Sequence, residues 1–103
     1  MVVYEVNLKI NSSIEDEYLE WLDDHVDRML KLPGFKNAFI YKAESTDDSN
    51  LKGYCVQYFV ESRDALQSYL DKQAPSMRQE ASTKFGSLFY AERRILHSLD
   101  STH

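Results

Sequence analysis

The chain of 103 residues is long enough for one domain, and its 43% hydrophobic and 28% charged residues exclude a disordered or low-complexity polypeptide. Its 12 Lys+Arg against 17 Asp+Glu leave a net charge of −5. The closest approach to a basic run is the pair Arg93-Arg94, so nucleic acid and anionic membranes are disfavoured as partners. Cys55 is the one cysteine, which forbids an intrachain disulfide and suits a reducing compartment. No apolar run reaches the roughly 18–20 residues a bilayer span requires. The opening residues lack the charged and apolar blocks of a signal peptide, so a cytoplasmic location is expected.

Val2 to Ile10 alternates: Val2, Tyr4, Val6, Leu8 and Ile10 fall on one side, and Val3, Glu5, Asn7 and Lys9 on the other. A period of two predicts a strand with one face buried. Asn11-Ser12-Ser13 breaks the pattern, and Ser12 with Glu15, or Ser13 with Asp16, offers a capping pair for a helix starting near Ile14. From there to about Lys31, Ile14, Tyr18, Leu22, Val26 and Met29 recur at helical spacing. Glu15, Asp16 and Glu17 sit at the positive end of the helix dipole, and Arg28 and Lys31 at the negative end. Leu32-Pro33-Gly34 ends the helix.

Phe35 to Ala43 and Gly53 to Val60 read as two further strands, joined by the polar hairpin loop from Glu44 to Asn50. Ser62 is the next N-cap, opening a helix with Ala65, Leu66, Tyr69 and Leu70 inward. Pro75 starts a second helical piece that carries Met77, Ala81 and Phe85 on one side and closes at Gly86. A last strand from about Leu88 to Leu96 precedes a frayed tail over 100–103. The order is β-α-β-β-α-β. It predicts one α+β, ferredoxin-like domain over residues 1–99, a four-stranded antiparallel sheet with its helices on one face.

Helices on one face leave the other face of the sheet uncovered, and a solvated face should be polar. Here Val3, Cys55 and Phe59 fall on it. In the second strand Phe35, Phe39 and Tyr41 group on one side, with Ala38 and Ile40 on the other. So much apolar surface predicts a partner, and a second copy of the chain is the simplest one.

Among residues that could carry chemistry, Trp21 and His25 lie one helical turn apart at the margin of the apolar stripe. Two readings of His25 stand side by side. It lines a pocket and moves a proton, or it is a boundary residue bonded to a carbonyl while Trp21 fills the groove between helix and sheet. Tyr4, Tyr54, Tyr58 and Tyr90 could direct phenols into a cavity between helices and sheet. Arg93 and Arg94 point to opposite faces, so at most one reaches inward; Arg94 is the candidate, beside Trp21, Tyr4 and Tyr58, for holding a ligand. Glu20, Asp23, Asp24 and Asp27 lie on the polar face of the helix, away from His25, and predict no metal site. Cys55 is expected to be structural, and no dinucleotide, phosphate-loop or triad pattern calls for a cofactor.

Tyr4-x-Val6, Trp21-x-x-x-His25-Val26, Gly34-Phe35 and Tyr54-x-Val56-Gln57-Tyr58 form an ordered set with motifs further along the chain. These are Tyr69-Leu70, Ala74-Pro75-x-Met77-Arg78, Phe85-Gly86 and Arg93-Arg94-Ile95. In this set the chain resembles an uncharacterised bacterial family, domain of unknown function 4286, of the dimeric α+β barrel superfamily. That superfamily includes antibiotic-biosynthesis monooxygenase-like proteins. The resemblance implies the ferredoxin-like fold and a homodimer, and no activity. Two functions follow as expectations: binding of a small aromatic metabolite, with chemistry like that of a cofactor-independent monooxygenase or isomerase; or a non-catalytic dimeric module for interaction or regulation.

Overall fold

The computed structural model describes residues 1–44 and 49–99. Its elements are β1 (Val2–Asn11), α1 (Glu15–Met29), β2 (Phe35–Ala43), β3 (Leu51–Val60), α2 (Arg63–Lys72), α3 (Ala74–Phe85) and β4 (Phe89–His97). The four strands form one antiparallel sheet in the order β2-β3-β1-β4, the ferredoxin-like arrangement. Strand β1 is central and pairs with β3 from Val2↔Val60 to Asn11↔Leu51 and with β4 from Val2↔His97 to Ile10↔Phe89. The hairpin loop expected from Glu44 to Asn50 falls largely on residues 45–48, outside the described residues, as does the tail 100–103.

The alternation of β1 does what its period dictates: Val2, Tyr4, Leu8 and Ile10 are buried against the helices. They meet Tyr18, Leu22, Val26 and Met29 from α1, Leu66 and Tyr69 from α2, and Phe85 from α3 in one core. The entry to α1 differs from the capping pairs expected of Ser12 and Ser13. Strand β1 runs on through Asn11, whose Oδ1 accepts a hydrogen bond from the Ser13 N–H at 2.9 Å and turns Ser12–Ile14 into a 3-10 segment. Asn competes well for this local bond, so α1 starts at Glu15 without a side-chain cap of its own.

The face expected of Phe35 is corrected. Strand β2 shifts register between Phe35 and Asn37, a β-bulge at Lys36. One extra residue flips the alternation, so Phe35 is buried on the helix side opposite Val60, whereas Phe39 and Tyr41 project from the uncovered face.

Ser62 caps α2 as expected, its hydroxyl accepting from the Ala65 N–H at 3.1 Å. Ser62→Ala removes that acceptor and should cost about 1 kcal/mol, read as a lower urea midpoint at unchanged slope. An unchanged midpoint would show that the cap is dispensable. Pro75 lies in the first turn of α3, where its missing N–H costs no bond, and Gly86 (φ 59°) closes that helix.

The uncovered face carries Val3, Phe39, Tyr41, Cys55, Phe59 and Leu96 around one buried charge. Glu5 is only 4% exposed. Its carboxylate accepts from Arg94 Nε, from Gln57 Nε2 at 2.9 Å and from Asn7 Nδ2 at 3.0 Å. Arg94 first, with Gln57 and Asn7, holds the Glu5 carboxyl down at about 2. Cys55 lies on the same face, and burial, with Glu5 nearby, pushes its thiol up, away from the thiolate a nucleophile needs.

Candidate functional site

The break between α2 and α3 lets α3 turn across the sheet beside α1. The two helices and the helix-facing side of β1, β3 and β4 enclose a cavity of about 330 Å³. Its floor is Val6, Leu8 and Val56, and its flanks are Tyr4, Tyr58 and Tyr69. The volume lies at the low end of the range, ~300–1,000 Å³, usual for small-molecule sites.

One wall is the edge of α1. A spacing of four residues stacks Trp21 on His25, with ring centroids 4.8 Å apart and planes inclined by 13°. Trp21 is also tilted against Tyr18 at 5.5 Å. Its indole Nε1 donates to Glu80 Oε1 of α3 at 3.2 Å. The same carboxylate takes two bonds from Arg28, at 3.0 and 2.7 Å, and Asp24 lies 3.2 Å from Arg28 on its other side. This bidentate pair holds Glu80 down at about 2 and ties α1 to α3 beside the cavity.

His25 Nδ1 is buried and has no hydrogen-bond partner among the described residues. Burial first, and then the positive charge of Arg28, lowers the His25 pKa to about 4, so the imidazole is neutral at pH 7. The sign for stability follows. An unfolded chain binds a proton at His25 near 6.5 and the folded chain only near 4. The unfolded state therefore holds more protons between these values, and this residue's contribution to stability falls as pH drops from about 6.5 to about 4. His25→Gln should flatten that part of the stability profile, measured by urea unfolding at stepped pH. An unchanged slope would show that His25 titrates normally.

The remaining polar groups are phenols and guanidinium groups. Burial raises the pKa values of Tyr18, Tyr58 and Tyr69, the last to about 12, so all three are protonated donors at neutral pH. The Tyr4 hydroxyl accepts from Arg78 Nη2 at 3.2 Å. Arg78, from α3, and Arg93, from β4, both line the cavity and are exposed at its mouth.

Of the residues singled out in the sequence, the cavity brings together Trp21, His25, Tyr4 and Tyr58, with Tyr90 at its rim. It does not include Arg94 or Tyr54. Arg94 pairs with Glu5 on the uncovered face, because β4 aligns Arg93 with Val6 and Arg94 with Glu5. The inward arginine is Arg93. The Tyr54 hydroxyl donates to Glu15 at 2.5 Å instead. Sequence reasoning missed Arg78 and Glu80; Glu80 reaches Trp21 across 59 residues of chain, and no local spacing signals such a contact. Among the described residues no group of three or more His, Cys, Asp or Glu side chains is placed to hold a metal ion.

Comparison with known proteins agrees with this architecture. Residues 1–99 match the family model of a domain of unknown function, DUF4286. No curated protein matches the chain in sequence. Among solved structures, a Deinococcus radiodurans protein provisionally assigned as an antibiotic biosynthesis monooxygenase superposes with a TM-score of 0.74 at 9% identity, covering 100% of this chain and 97% of that one. A variant of SnoaB, a cofactor-independent oxygenase from Streptomyces nogalater, gives 0.71 at 18% identity over 97% of this chain and 95% of its own. The haem degrader MhuD from Mycobacterium tuberculosis, with two haems bound, gives 0.71 at 14% identity over 100% of both chains. At these identities the likeness is one of fold.

Proposed function

The chain belongs to the DUF4286 family, and for it we propose binding of a small, planar, largely aromatic molecule in the cavity, with His25 exchanging a proton with it. The observation that carries this reading is the wall: a stacked Trp21–His25 pair beside a cavity lined by tyrosines, with the buried His25 Nδ1 unpartnered among the described residues. A flat ring system gains contact with such a wall, and an imidazole in the cavity lining can exchange a proton with a bound ligand. A neutral imidazole with a pKa near 4 is a weak base in the empty cavity. A ligand that becomes an anion on losing its proton offsets this, because the new negative charge stabilises the imidazolium beside it. Removal of a proton from an activated C–H or O–H suits both an isomerase, which returns the proton elsewhere, and a cofactor-independent oxygenase, whose substrate anion reacts with O2. The cofactor-independent oxygenase SnoaB shares the fold.

Trp21 is the chain's one tryptophan, which makes its fluorescence a direct reporter. We expect planar enolisable phenols to quench it saturably. His25→Ala should keep the binding of such ligands and lose exchange of the ligand's activated C–H hydrogen with deuterated solvent. Loss of neither binding nor exchange in that variant would remove His25 from the chemistry.

The same proposal includes a homodimer formed through the uncovered sheet face. Phe39 and Tyr41 are 48% and 49% exposed there, beside Phe59, and Glu5 is already satisfied within its own chain. The apolar part of that face, Phe39, Tyr41 and Phe59, can bury against a copy of itself, while Lys9 and Glu92 on the same face stay exposed or meet opposite charges of the copy. Sedimentation at micromolar concentration should give a two-chain species, and a species of 12.1 kDa would exclude it. The free thiol of Cys55 suits a reducing interior, which supports a cytoplasmic protein.

A further inference from the structure

The cavity has a chemical polarity that its aromatic lining alone does not express. Much of its lining is neutral: phenols held protonated by burial and an imidazole held unprotonated. Its mouth carries two full positive charges, Arg78 from α3 and Arg93 from β4. Among the described residues neither has a carboxylate within ion-pair distance. This contrasts with the other arginines and acids nearby. Arg28 is committed to Glu80 and Asp24, and Arg94 to Glu5, on surfaces that do not need a ligand.

Arg78 is also fixed in direction. The Tyr4 hydroxyl, on the cavity flank, accepts from one of its terminal nitrogens at 3.2 Å and leaves the other donors of the fork available. Arg93 projects from β4 opposite Val6 of the cavity floor, and its charge opposes the effect of burial on Tyr18, Tyr58 and Tyr69, so its field reaches the interior. A chain with net charge −5 repels anions as a whole, so two uncompensated cations at one opening set a local preference against that background.

We propose that the ligand is a planar aromatic carboxylate, held with its carboxylate between Arg78 and Arg93 at the mouth and its rings against Trp21 and His25. Resting on the reading of the cavity as a ligand site, this adds the ligand's charge and its direction of entry. A carboxylate matches the guanidinium fork, and a neutral ring system matches the interior. The orientation keeps the anion in contact with solvent, where desolvation costs least, and delivers the far edge of the rings to the imidazole.

The test is calorimetric titration of the full chain with 2-naphthoate and with 2-naphthamide, which has the same shape and no charge. Arg78→Gln and Arg93→Gln are titrated in parallel; both positions are exposed, so both variants should fold. The carboxylate should bind wild type at least about tenfold more tightly than the amide, since hydrogen bonds to charged groups are the stronger kind. Each substitution should erase most of that difference and leave the amide unchanged, and added NaCl should weaken the carboxylate alone. Equal affinity for the two probes, or a carboxylate preference untouched by both substitutions, overturns the inference and leaves the cavity reading in place. Failure of both probes to bind wild type overturns the two together.

Discussion

Replacing Gly34 by alanine should unfold the protein at a markedly lower denaturant concentration. Gly34 follows α1 with φ at 84°, a conformation that costs an L-residue about 1–2 kcal/mol. A Cβ added there would lie 2.6 Å from the Ala65 Cβ of α2 and 3.2 Å from Glu61 Cγ. Neither neighbour yields easily, because the Ala65 methyl has no torsion to rotate and the Glu61 N–H is bonded to the Gly34 carbonyl at 2.8 Å. Overpacking of this kind adds about 1–3 kcal/mol, so the expected loss is about 2–5 kcal/mol. Reduced freedom of the unfolded chain returns at most about 1 kcal/mol. Adding Ala65→Gly should recover the steric part and leave the backbone part, a cycle that urea unfolding resolves. A loss below about 0.5 kcal/mol for Gly34→Ala, well under the overpacking cost, would show that the Gly34 turn and Ala65 of α2 do not approach this closely.

The second large effect is on binding. Ala81 is 6% exposed and faces the cavity from α3. Ala81→Phe would place a ring where the ligand lies, and an occupied cavity of about 330 Å³ has no room to share. Affinity for 2-naphthoate should fall by about a hundredfold or more, equivalent to about 2.7 kcal/mol. Stability should change by less, because the added ring enters existing space rather than packed core. Retained affinity in Ala81→Phe would mean that the probe binds elsewhere, and the exposed aromatics Phe39 and Tyr41 would be the first surface to examine.

Much of this architecture is legible in the amino-acid order because it rests on local periodicity. The two-residue alternation of β1 and the stripe Tyr18, Leu22, Val26 and Met29 on α1 give element type and buried face together, and both match the core. Ser62 and Pro75 announce the starts of their helices through local bonding. The face of Phe35 was hidden by a bulge that adds one residue without a Gly or Pro to mark it. The choice between Arg93 and Arg94 was hidden for a related reason. Adjacent residues in a strand always face apart, and only pairing with β1, which sets Arg93 against Val6, decides which one faces the helices. The candidate site was half visible. Trp21 and His25 share one helix and could be paired by spacing. Arg78 reaches the cavity, and Glu80 reaches Trp21, only because α3 folds across the sheet beside α1, a fact of tertiary packing.

The electrostatic division of the molecule follows the same geometry. On the uncovered face Glu5 and Arg94 neutralise one another, beside the apolar Phe39, Tyr41 and Phe59 and the exposed polar residues Asn7, Lys9 and Glu92. On the helix side Arg78 and Arg93 line an opening with no ion pair among the described residues. The first arrangement suits contact with another copy of the chain, and the second suits a ligand that supplies the missing charge.

The most direct measurement is a crystal structure of the protein soaked with 2-naphthoate. We expect the ring system between the tyrosine flank and the stacked Trp21–His25 wall, with its carboxylate within hydrogen-bond distance of Arg78 and Arg93. A cavity filled by repacked side chains, or a probe bound only outside it, would contradict the assignment of this cavity as the functional site.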